Sequence, residues 1–143
     1  MKRLLLTIVM GFSFWGLFGQ TNKFKTVDAA EFAKAVASTS YVVLDVRTPA
    51  EYAEGHIPGT NFNIDVLEDS YTEIALKNLP KEKPVALYCR SGNRSKNAAQ
   101  ILAENGYEVV ELATGIRGWQ EAGQKLEKPK RTARRKARNS QRQ

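Results

Sequence analysis

The chain has 143 residues, one cysteine, one histidine and a formal net charge of +7. That length holds one domain of about one hundred residues once both ends are set aside, and a single cysteine excludes an internal disulfide, so the fold rests on its hydrophobic core. Of the 22 basic residues, nine lie in 125–143 and two are Lys2 and Arg3, leaving 11 against 14 acidic residues in 4–124: the middle of the chain is mildly acidic.

In chain order, Met1-Lys2-Arg3 precedes an apolar run over 4–18, the pattern of a secretory signal peptide. Residues 1–20 are read as that leader and the mature protein as exported, to a periplasmic space. The run is shorter than the roughly 20 apolar residues of a stable span, so an uncleaved membrane anchor is the alternative. Asp28 and Glu31 form a capping-box pattern ahead of Phe32, Ala35 and Val36 at helical spacing. Residues 41–46 are near-continuously apolar and β-branched, which predicts a strand buried on both faces, as in a parallel sheet. A turn at 55–59 precedes a short strand near 61–64. Asp65 and Glu68 repeat the capping pattern before a helix whose apolar face is Leu67, Tyr71, Ile74, Ala75 and Leu79.

Pro80 and Pro84 bracket a break, and residues 85–88 form a second buried strand. A helix over 93–104 turns Ala98, Ile101 and Leu102 inward and stops at Asn105-Gly106. A strand at 107–112 and a last helix at 116–122 complete the domain, read as 21–124. Strands alternating with helices predict an open parallel α/β sheet. Ligands of such sheets bind beyond the carboxyl ends of the strands, where Asp45, Arg47 and Cys89 fall.

The chemistry concentrates in Cys89-Arg90-Ser91-Gly92-Asn93-Arg94-Ser95, between the strand at 85–88 and the following helix. A lone cysteine is most often a small buried hydrophobe. Here a glycine, two arginines and two serines follow it, a poor composition for a core. A helix N-terminus offers unpaired N–H groups and partial positive charge, which favour a thiolate, as do Arg90 and Arg94. The same amides and guanidiniums suit a small anion.

These seven residues resemble the active-site loop of the rhodanese sulfurtransferases. Leu44-Asp45-Val46-Arg47-Thr48-Pro49-Ala50-Glu51-Tyr52, Gly55-His56-Ile57-Pro58-Gly59 and Gly115-Ile116-Arg117-Gly118-Trp119-Gln120-Glu121-Ala122-Gly123 match the same family, in its order, over residues 24–124. Thr114 before Gly115 and Thr60 after Gly59 depart from its usual pattern. The resemblance implies a five-stranded, mainly parallel sheet with helices on both faces. It implies a Cys89 thiolate that takes the outer sulfur of thiosulfate or a similar anionic donor and passes it, through a persulfide, to cyanide or an acceptor thiol. The amides of 90–95 would stabilise the persulfide. Arg90 and Arg94 would hold the donor, Ser91, Asn93 and Ser95 would line the loop, and Gly92 would permit its conformation. Asp45 and Arg47 would support the loop or serve as a structural ion pair. The expected enzyme is a monomer without a cofactor.

One histidine and one cysteine make no metal site, and the Gly-x-x-x-x-Gly-Lys phosphate loop is absent. His56 reads as structural and Trp119 as a core residue. Three alternatives stand beside sulfur transfer from a small donor. One is a binding or regulatory module of the same fold. A second is a cysteine-dependent phosphatase, which would need five residues between Cys and Arg where Arg90–Asn93 supplies four. The third is a relay to a protein thiol. Residues 125–143 read as a basic, disordered tail: either a solvated appendage or an attachment to an anionic surface. Deleting 125–143 is expected to leave kcat/KM for a small substrate nearly unchanged. Loss of most of the activity would make the tail part of the site.

Overall fold

Alternating apolar runs and amphipathic segments assemble here into three layers. The computed structural model describes residues 24–130; the leader read over 1–20 and the basic stretch past Lys130 lie outside the described residues. Five strands, β1 (Lys25–Val27), β2 (Val42–Asp45), β3 (Phe62–Asn63), β4 (Val85–Tyr88) and β5 (Val109–Leu112), lie in the order β1-β5-β4-β2-β3. Every pairing is parallel. The helices are α1 (Ala29–Ala37), α2 (Pro49–Glu54), α3 (Tyr71–Asn78), α4 (Asn93–Glu104) and α5 (Gly115–Glu121). Among the described residues no helix is long and apolar enough to cross a membrane.

β4 is the middle strand and is buried throughout. Successive side chains of a strand point to opposite faces, so Val85, Leu87 and Cys89 join one core with Ala98, Ala99 and Leu102 of α4. Ala86 and Tyr88 join the other, with Phe32, Ile116 and Trp119. Each fully buried side chain of Leu or Phe size stabilises by about 1.5–3 kcal/mol. Trp119 stacks edge-on against Phe32 at 6.3 Å between centroids, a packing role.

The expected helix at 93–104 and the buried strand at 85–88 have those bounds. Two elements arise that the sequence reading did not foresee. β1 is a three-residue edge strand beginning with two exposed residues, too short for a periodic signal. α2 opens on a full capping box between Thr48 and Glu51, with Pro49 in its first turn. The third helix also starts later than the capping pattern at Asp65 predicts. Asp65 Oδ1 accepts the Leu67 amide at 2.9 Å and closes a turn instead. Leu67 is therefore 66% exposed and Ile74 is exposed as well, while Tyr71, Ala75 and Leu79 are buried.

The packed domain also runs on past 124 into what reads as tail. The His56 and Glu127 backbones exchange two hydrogen bonds of 2.8 Å, and Trp119 Nε1 donates to the Lys125 carbonyl at 2.9 Å. Leu126, one apolar residue among charges, packs against the α1/α5 core. Leu126→Ala in the full chain is expected to cost about 1 kcal/mol, less than a fully buried Leu, and so to lower Tm by roughly 4–8 °C. An unchanged melting curve would show that this strap contributes nothing.

Candidate active site

Cys89 stands just beyond the carboxyl end of the central strand and is 1% exposed. The backbone then reverses at Gly92, whose φ of 99° lies in the left-handed region that side chains disfavour. A Cβ at Gly92 would also collide with the Ala113 carbonyl oxygen. The reversal brings the Gly92 N–H to Cys89 Sγ at 3.1 Å. On the opposite side α5 holds the loop: the Ile116 and Arg117 amides donate to the Cys89 and Arg90 carbonyls at 2.9 and 3.1 Å. No side chain caps α4, so the positive end of that helix faces the loop without a capping oxygen.

Behind the sulfur runs a chain of hydrogen bonds. Cys89 Sγ donates to Ser95 Oγ at 3.4 Å, and Ser95 Oγ donates to Glu111 Oε1 at 2.6 Å. Thr26 Oγ1 donates to Glu111 Oε2 at 2.9 Å. Ser95 and Glu111 are both fully buried. The sequence reading placed Ser95 in the loop but did not find Glu111, which sits mid-strand like any core position.

Arg94, expected to hold the donor anion, directs its guanidinium to Glu51. Its two terminal nitrogens each donate at 2.8 Å to the two carboxylate oxygens. Arg94, then the Thr48 capping contacts, hold the Glu51 carboxyl down at about 2, against the cost of partial burial. Glu51 was not singled out by sequence; the Thr48-x-x-Glu51 spacing signals the cap, and nothing in it signals Arg94. Arg90, Ser91 and Asn93 are exposed on the loop's outer face. Arg90, Arg47 and Arg117 line a cleft of about 530 Å³ beside it, closed at one side by Leu126.

Asp45 and Arg47 form a buried bidentate pair, with Arg47 Nη2 to Asp45 Oδ2 at 2.7 Å and Nε to Oδ1 at 3.0 Å. Arg47 also donates to the Gly55 carbonyl at 2.8 Å. The pair thus ties the end of β2 to the 55–59 turn, and its hydrogen bonds do not reach 90–95. His56 stacks on Tyr52 at 4.0 Å between centroids and takes no part in the cysteine's hydrogen bonds. The assembled site offers one enclosed sulfur, an amide aimed at it, a proton-bearing chain behind it and exposed cations beside it.

The sequence model of the family described as "Rhodanese-like domain" matches residues 28–122. A protein of Allochromatium vinosum named "Sulfurtransferase" is 38% identical over 101 residues, covering 68% of this chain and 89% of that protein. The "Adenylyltransferase and sulfurtransferase MOCS3" of Drosophila persimilis is 32% identical over 99 residues, covering 65% of this chain and 22% of its own length. The crystal structure of a rhodanese-related protein from Thermoplasma volcanium is similar with a TM-score of 0.64 and 32% identity, over 73% of this chain and 98% of that one.

The Glu51–Arg94 pair carries a pH signature. Glu51 titrates at about 2 in the folded state against an ordinary 4.5. At about 1.4 kcal/mol per unit this is worth about 3.5 kcal/mol at most, and roughly 2–3 kcal/mol once solvent screening of a quarter-exposed pair is allowed for. A depressed carboxyl contributes above its unfolded value and ceases to do so as pH falls to its folded one. Urea titrations should therefore find Glu51→Gln less stable than the parent by that amount at pH 7, with the gap closing between pH 4.5 and 2. A gap that does not change with pH would refute the assignment.

Proposed function

Because the chain belongs to the rhodanese-like domain family, we propose that it is a sulfurtransferase carrying sulfane sulfur on Cys89. A sulfurtransferase-type function is what the family and the named relative support; the donor, acceptor and step are our reading. The observation that carries it is the Gly92 amide on Cys89 Sγ at the floor of a closed loop. Such a donor stabilises a sulfur anion before and after transfer, as an oxyanion hole stabilises oxygen.

In the first step Sγ attacks the outer sulfur of thiosulfate or a like donor. The bond between the donor's two sulfurs breaks, its electron pair leaves with sulfite, and Cys89 becomes an anionic persulfide. In the second, cyanide or an acceptor thiol attacks the outer sulfur and Cys89 Sγ leaves with the electron pair. Splitting the transfer in this way replaces one hard displacement with two easier ones. Arg90 and Arg117 are exposed beside the cleft and suit an anionic donor. Arg94 has its terminal nitrogens on Glu51 and supports the loop from behind. With the leader read over 1–20, this chemistry belongs outside the cytoplasm.

Intact-protein mass after reduction, desalting and thiosulfate treatment tests the reading. One added sulfur atom is expected on the parent and none on Cys89→Ser, with cyanide or a thiol removing it. A parent that takes no sulfur from thiosulfate or other sulfane donors would end the sulfurtransferase reading and favour a binding module of the same fold.

A further inference from the structure

Among the described residues, Glu111 is a buried charged group that the transfer chemistry leaves unused and that, unlike Asp45 and Arg47, has no opposite charge as partner. A carboxylate enclosed in protein is costly unless it is paired, yet among the described residues it makes no salt bridge. Its partners are two hydroxyls, Thr26 from β1 and Ser95 from α4. β4 sets Leu87 beside it, and Arg94, next to Ser95 in the chain, is turned to Glu51. Cys89 is the titratable group to which Glu111 is connected, through Ser95.

In the arrangement seen, Ser95 gives its O–H to Glu111 and receives the Cys89 S–H on a lone pair, the pattern that a carboxylate, which only accepts hydrogen bonds, requires. A Cys89 anion reverses that demand: it needs Ser95 as donor. The Ser95 hydroxyl cannot serve both anions. We propose that Glu111 is a positioning residue for Cys89, acting through Ser95 and holding the cysteine proton while the sulfur is reacting. The inference rests on Cys89 being the nucleophile.

The exchange is balanced and needs no co-reactant. The Sγ–H bond breaks and its proton passes to Ser95 Oγ as the Ser95 proton crosses to Glu111 Oε1. Cys89 becomes a thiolate, Glu111 a neutral acid, and Ser95 is unchanged but now donates to sulfur. After transfer the anionic persulfide receives both the Ser95 O–H and the Gly92 N–H. When the acceptor removes the outer sulfur, Sγ regains its proton along the same path.

Two groups sharing a proton titrate as a pair. The rate of Cys89 alkylation by iodoacetamide against pH should therefore show two ionisations with a plateau between them in the parent. Glu111→Gln keeps the shape but cannot hold the proton. It should show one ionisation, and be slower on the former plateau by about a hundredfold, the lower end for a positioned proton acceptor. Infrared difference spectra of the unsubstituted protein, before and after sulfur loading, provide a readout independent of any variant's folding. A carboxylic-acid C=O band should appear on loading. Normal alkylation with a single ionisation in both proteins, or loading without the acid band, would overturn this inference alone. A Cys89 that neither alkylates nor takes sulfur at any pH would overturn it together with the sulfurtransferase reading.

Discussion

The site depends on one backbone reversal. β4 ends in the middle of the sheet, under α5 and beside β5, and the chain must turn at Gly92 within reach of the Ala113 carbonyl. A left-handed backbone and the lack of room for a Cβ both demand glycine there. From that turn α4 begins with its amide end towards the loop. Ser95, in the first turn of α4, is thereby set behind the sulfur. The α5 amides complete the enclosure by holding the Cys89 and Arg90 carbonyls. The sulfur thus packs into the core with β4 and α4 and yet has an amide and a hydroxyl within hydrogen-bond reach.

Around this turn the molecule buries charge in three different ways. Asp45 and Arg47 satisfy each other and the Gly55 carbonyl, which fixes the turn after α2. Replacing one partner would strand the other, the costly way to break a buried pair. Glu51 and Arg94 are a quarter exposed and join α2 to α4 across the loop's flank. Glu111 has only hydroxyl partners. No buried side-chain nitrogen or oxygen among the described residues lacks a hydrogen bond. The loop is therefore braced on several sides, and a braced loop does not have to be ordered by its substrate.

Much of this was legible in the residues, and the failures have physical causes. Strands buried on both faces announce themselves as apolar runs, and the Cys89 loop stands out because its composition contradicts a core. α2 was missed although Thr48, Pro49 and Glu51 spell a helix start, because a six-residue helix with no buried side chain has no apolar face to detect. At Asp65 the opposite happened: Asp and Ser side chains also close turns, and local spacing does not distinguish the two outcomes. Arg94 read as an anion ligand because its partner, Glu51, lies 43 residues away. Glu111 was silent because a carboxyl inside a strand acquires meaning only from the hydroxyls that the fold brings to it. Leu126 was overlooked as a single apolar residue at the head of a basic stretch.

That last residue has a bearing on the shape of the cleft. Leu126 lines the cleft beside the cysteine loop, and Glu127 is pinned to His56. One wall of the cleft is therefore held by two backbone hydrogen bonds and a single apolar contact, while the cysteine loop is held by hydrogen bonds from α5 and its own glycine amide. A side-chain change at Leu126 can thus alter the entrance without disturbing the bonds that set the sulfur.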